Sequence, residues 1–175
     1  MTSNPFVELL VEALNLVHPR FAAGNGLAYP PGEADSPAAA RKERERAFLM
    51  ELYHQFRRLW DKALPVRLGL GHVIVQSDPA VSSGRAPDLM FWQLGENGLS
   101  DQRLAAVSVV FASNPSALAA DLSLLARFRT APGYPTAVCV VVGCEAEIPA
   151  GEWSGAGEIV RIVFDTDRRT ATVVD

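Results

Sequence analysis

The chain has 175 residues, 49% hydrophobic and 21% charged, with a formal net charge of −4. That is enough apolar material for one domain with a real core, and too little length for two. The acidic balance lacks the basic footprint of a protein that lives on phosphate backbones, so DNA remains a partner that overall charge does not support.

Two cysteines, Cys139 and Cys144, are too few and too close for a secreted disulfide framework. The opening "MTSNPFVELLVEALNLV" carries Glu8 and Glu12 and no basic leader, which argues against a signal peptide. No apolar run reaches the roughly 18 residues of a membrane helix. The expectation is a cytoplasmic protein without a membrane partner.

Taken in chain order, residues 4 to 18 predict an amphipathic helix. Phe6, Leu9, Leu10, Ala13, Leu14 and Val17 follow the 3.6 period, Asn4 is placed to cap it, Pro5 suits its first position and Pro19 stops it. Residues 19 to 38 are rich in Gly, Pro and Ala without period and read as a long loop. A second helix is expected from Ala39 to Ala63. Phe48, Leu52, Phe56 and Leu59 form its apolar stripe, flanked by Leu49 and Trp60, and Pro65 should end it. Its polar side holds seven basic and four acidic residues between Arg41 and Lys62, a pattern that suits a solvated helix better than a DNA contact.

A strand follows near 68 to 77, then turn chemistry in "DPAVSSGRAP", then strands at 87–94 and 103–112. Asn114 and Pro115 repeat the opening device of cap and first position. Leu118, Leu122, Leu125 and Phe128 give the buried face of that helix, and Gly133 and Pro135 close it. "TAVCVVVG" is almost uninterrupted apolar sequence, as in a strand buried on both faces. The tail "EIVRIVFDTDRRTATVVD" reads as a hairpin turning at Asp167, Arg168 and Arg169. The fold class is α/β, a mixed sheet flanked by helices. One domain spans 1–175: a helix and loop over 1–38, a core over 39–142, and a loop and hairpin over 143–175.

The core order is α-β-β-β-α-β, and Pro87-Asp88 opens its second strand. Three stretches, "RERAFLMELYHQFRRLW", "GRAPDLMFWQLGENG" and "RLAAVSVVFASNPSALAADLSLLARF", resemble the restriction-endonuclease-like fold of the PD-(D/E)XK nuclease superfamily. The resemblance implies phosphodiester hydrolysis with Mg2+ or Mn2+. The cation is held by oxygen ligands, polarises the phosphate and acidifies a bound water. Two carboxylates on adjacent strands share it. A lysine two residues after the second carboxylate projects from the same sheet face.

Asp88 matches the motif Asp. Glu45 is the candidate helix Glu, because it lies three residues before Phe48 and seven before Leu52, and Glu51 is the second choice. These two, Asp88 and Glu45, are the metal ligands if a metal site survives. Ser108 stands where the second acid belongs and Val110 where the lysine belongs. The only lysines, Lys42 and Lys62, are remote in sequence. Arg103, Arg127 and Arg129 are candidates for a migrated cation, though an Arg stays protonated and is a poor base. Gln76 is a further cleft candidate.

Elsewhere the bland readings prevail. His18, His54 and His72 lack metal-ligand spacing. Ser108 as an inward strand residue reads as a hydrogen-bonded filler. Cys144, just past a buried strand, reads as a small hydrophobe. Met90, Phe91 and Trp92 read as core on one face, with Trp92 partly exposed. The resulting expectation is a catalytically inactive, nuclease-like protein with a binding or regulatory role, as a homodimer or with a protein partner. An active nuclease with relocated ligands and an unrelated α/β interaction module are the alternatives.

Overall fold

In a computed structural model of the chain, residues 4–22, 37–68, 73–75, 85–93, 102–112, 115–131, 133–144 and 158–174 are described. Helix α1 spans Pro5–Asn15, α2 Pro19–Ala22, α3 Pro37–Leu68 and α4 Pro115–Thr130. The strands are β1 Val73–Val75, β2 Leu89–Gln93, β3 Gln102–Phe111, β4 Thr136–Gly143, β5 Val160–Asp165 and β6 Thr170–Val174.

Asn4 caps α1 as expected: its side chain accepts the Phe6 N–H at 3.0 Å. Its amide also donates to Thr136 Oγ1 at 3.2 Å, tying the helix start to β4. Several helix boundaries differ from the sequence reading, among them the start of α3 at Pro37, two residues inside the expected loop. Helix α1 already ends at Asn15, ahead of Pro19, and Pro19 instead opens α2, because a fixed φ suits a first helical turn; residues 23–36 of the expected loop lie outside the described residues. Helix α3 also runs through Pro65 to Leu68. Pro65 has no N–H to give back along the helix, but it sits in the last turn, where one missing ladder bond is tolerated.

The six strands lie in sequence order, β1-β2-β3-β4-β5-β6. The pairs β1–β2, β2–β3 and β5–β6 are antiparallel, while β3–β4 and β4–β5 are parallel. The β3–β4 pair needs a crossover, and α4 supplies it. The turn of the C-terminal hairpin is built by Asp165, whose Oδ1 accepts the N–H groups of Asp167 at 2.8 Å and Arg168 at 3.0 Å.

A core lies on each face of the sheet. On one, Phe6, Leu10, Leu14, Phe48, Leu52 and Phe56 from α1 and α3 pack on Phe91, Val107, Val140 and Phe164. Phe91 is gripped by the rings of Phe6 at 4.9 Å and Phe56 at 4.8 Å. On the other, Leu118, Leu122, Leu125 and Phe128 of α4 pack on Met90, Ala106, Val110, Cys139 and Val141. Strand alternation divides the two sets. Met90 and Phe91 therefore belong to different cores, not to one face as the sequence reading had them; β2 is covered on both sides. Among the described residues no helix is long and apolar enough to cross a membrane.

Candidate functional site

The β2–β3 ladder positions the first candidate. Leu89 pairs with Val107, so one step further sets Asp88 beside Ser108. Ser108 shares parity with Ala106 and Val110 and faces α4, as does its neighbour across the parallel ladder, Cys139. Asp88, just ahead of β2, is thus set beside Ser108, with Val110 two residues further along β3 on the same face.

Their chemistry differs from that geometry. Asp88 as a residue is exposed, yet its carboxyl turns in, and Oδ2 accepts the Val109 N–H at 2.7 Å. Burial of the carboxyl pushes its pKa up to about 6, against the lowering effect of the Val109 bond; the charges of Asp121 and Glu45 raise it further and Arg85 lowers it. The open flank lets solvent screen part of these interactions. Ser108 is buried and its Oγ has no hydrogen-bond partner, so the expected hydrogen-bonded filler is instead an orphaned hydroxyl. Val110 is a core residue of the α4 side.

Glu45 is half-buried on α3 and acts electrostatically on both Asp88 and Asp121. Glu51 instead accepts a bond from Gln55 Nε2 at 2.7 Å along its own helix. Gln76 and His72 lie outside the described residues, while His18 and His54 are exposed.

The structure adds two residues that the sequence reading missed. Asp121 is a buried acid on the sheet-facing side of α4, and burial raises its pKa, opposed by Arg85 and reinforced by Glu45. Arg85 Nη2 reaches its Oδ1 at 2.8 Å. The signal for Asp121 was present: it lies three residues after Leu118 and four before Leu125, an acid on an apolar stripe. Arg85 is not among the three arginines offered as a migrated cation. Arg103 lies 5.9 Å over the Tyr134 ring, Arg127 is exposed, and Arg129 binds the Pro135 and Glu158 carbonyls and the Glu158 carboxylate. Lys42 and Lys62 are exposed on α3.

The donor set does not fit the ion that the resemblance implies. Magnesium asks for near-octahedral oxygen ligation. Here one oxygen of Asp88 is committed to β3, Asp121 is committed to Arg85, and the remaining motif positions are an alcohol and an alkyl group. Among the described residues, no three His, Cys, Asp or Glu side chains are grouped to hold a metal. Among the described residues, Cys139, across the ladder from Ser108, is not an activated nucleophile. Burial, with the charges of Asp121 and Asp88 behind it and Arg161 opposing, pushes the Cys139 thiol up to about 12, so it stays protonated. What the arrangement can do is hold compensated charge between a sheet and two helices. Compared with protein-family models, curated proteins and solved structures, the chain matches none of them.

Proposed function

We propose that this chain is a restriction-endonuclease-like scaffold that does not hydrolyse phosphodiesters and acts by binding, with a second copy of itself or another protein as partner. The order α3-β1-β2-β3-α4-β4 supports the fold reading, as does the side-by-side placement of Asp88 and Ser108. The observation that carries the functional reading is the burial of Ser108 and Val110 at the two positions where the chemistry needs an acid and a lysine. Without them a cation bound there would lack its second carboxylate and the water its neutralising ammonium.

The test is incubation of the purified protein with single- and double-stranded DNA in Mg2+ or Mn2+. No cleavage is expected. Cleavage that Asp88→Ala abolishes, with the fold intact, overturns the proposal. It would favour a second reading, in which Asp121 is the relocated acid beside Asp88 and Glu45. The presence of Asp121 within electrostatic reach of both is what supports that reading.

A further inference from the structure

Helix α3 turns Phe48, Leu52 and Phe56 onto the sheet, and Glu43, Arg46, Met50 and His54 on its opposite face are exposed. Glu43, Met50 and Arg57 are spaced by seven residues, close to two helical turns, so they fall on one line of that outer face. Arg46, Ala47, Tyr53 and His54 flank the line, at three and four residues to either side of Met50. Met50 is 63% exposed, more than any other large hydrophobic among the described residues. A single exposed apolar side chain is ordinary. What sets this one apart is the order of the side chains around it.

That order is self-complementary. Two antiparallel copies of the helix related by a two-fold axis at Met50 set each residue opposite the one equally far beyond Met50 in the other copy. Met50 then meets its own counterpart, and Glu43 of each copy faces Arg57 of the other, an acid–base pair made twice. Arg46 and Tyr53 lie on the same side of the seam, so each guanidinium comes over the Tyr53 ring of the other copy, a favourable cation–π geometry. On the other side the small Ala47 leaves room for His54. A parallel pairing would instead set Glu43 against Glu43 and Arg57 against Arg57, and like charges exclude it. Neighbouring charges keep the seam balanced. Arg57 Nη2 holds Asp61 Oδ1 at 3.2 Å, one turn further along the line, while Arg58 Nη1 is drawn aside to Gln55 Oε1 at 3.1 Å. Glu43 and Asp61 thus offset Arg46 and Arg57 along the seam.

We propose that the outer face of α3 is a homodimer interface, on which a second copy of the chain packs antiparallel about a two-fold axis at Met50, held by two Glu43–Arg57 pairs. The inference rests on the binding reading above and deepens it, by choosing a second copy as the partner and naming the surface. One pair of helices in contact over roughly 20 Å buries less than the about 1,200 Å² of a stable complex. The dimer is therefore reversible and set by concentration. Its formation leaves the inner face of α3 on the sheet, so substitutions along the seam change the surface without touching the core.

Sedimentation velocity of the full chain from micromolar to millimolar concentration tests the interface, with circular dichroism to show that each variant keeps its fold. The native chain should shift reversibly from monomer towards dimer. Met50→Lys should hold it monomeric. Glu43→Arg and Arg57→Glu should each weaken association roughly tenfold or more, because each sets two like-charged pairs face to face. Mixing these two variants should restore association, since in the mixed pair both facing positions again carry unlike charges; a variant that had merely lost stability would not be repaired this way. A native chain that stays monomeric throughout overturns the proposal. So does a dimer that Met50→Lys and both charge exchanges leave intact, which would place the contact on another surface, or a mixture that stays monomeric. DNA cleavage by the native protein would instead sink the non-hydrolytic reading, whereas a monomer that cuts no DNA would leave that reading standing with another protein as partner.

Discussion

Asp88 is held by opposing forces that a titration can separate. Its folded pKa is about 6 against an ordinary value of 3.8. The folded state therefore holds its proton more tightly than the unfolded chain. Asp88 favours folding fully below the unfolded pKa, and that contribution is lost as pH rises from about 4 through about 6, the reverse of a salt-bridged aspartate. Asp88→Asn keeps an oxygen for the Val109 N–H and removes the titration. Urea unfolding of both proteins between acidic and neutral pH should show the native stability falling relative to the variant across that window; parallel profiles would refute the assignment. Ser108 makes the opposite kind of prediction. Its hydroxyl is buried without a partner, so Ser108→Ala removes an unsatisfied group at no lost bond. The urea midpoint should stay within about 0.5 kcal/mol of native or rise; a loss of 1–2 kcal/mol would mean that Oγ is bonded. At this scale the sequence made Asp88 and Glu45 readable, because a motif and a helical spacing mark them. Asp121 was marked as an acid on an apolar stripe, but its pairing with Arg85 was not readable, since only folding brings residues 85 and 121 together.

Elements were readable where one period dominates. Strand β4 is buried along nearly its whole length, as its unbroken apolar run implied. Helix α4 buries Leu118, Leu122, Leu125 and Phe128 as its spacing implied. The failures have physical reasons. Proline restricts a helix without forbidding it near an end, which hid the last turn of α3. A strand covered on both sides has no polar face, which hid the two-sided burial of β2. The inner face of α3 is testable through Leu52, wholly buried between α1 and the sheet. Leu52→Ala should cost about 2–5 kcal/mol by urea denaturation, the range of core truncations. Tolerance would mean that α3 does not press this face on the sheet. Gly133 makes a smaller, backbone prediction. Its φ of +86° closes α4, and a Cβ there would meet nothing within 4 Å. Gly133→Ala should thus cost only the left-handed strain, roughly 1–2 kcal/mol.

For the whole molecule, the sheet divides two cores and ends in two edges, and the edges bear on self-association. Strand β6 is an outer strand, and Thr170–Val174 contains no charge and no proline. Such an edge is a template for pairing with another chain unless something blunts it. Val173 is 52% exposed on it. The chain blunts this edge from α1: Asn15, the last residue of that helix, accepts the Ala171 N–H on its Oδ1 at 2.7 Å. That single bond joins residues 156 apart and occupies a backbone donor that a partner strand would otherwise take. Asn15→Ala should therefore act twice. It should cost about 1 kcal/mol of stability through the lost bond, and it should free the edge. Sedimentation velocity over a range of concentrations should show more self-association for the variant than for the native protein, and adding Val173→Lys should reverse that gain, because an edge lysine opposes strand pairing. If Asn15→Ala sediments as the native chain does at every concentration, β6 is not a pairing edge, and any homodimer must form through another surface.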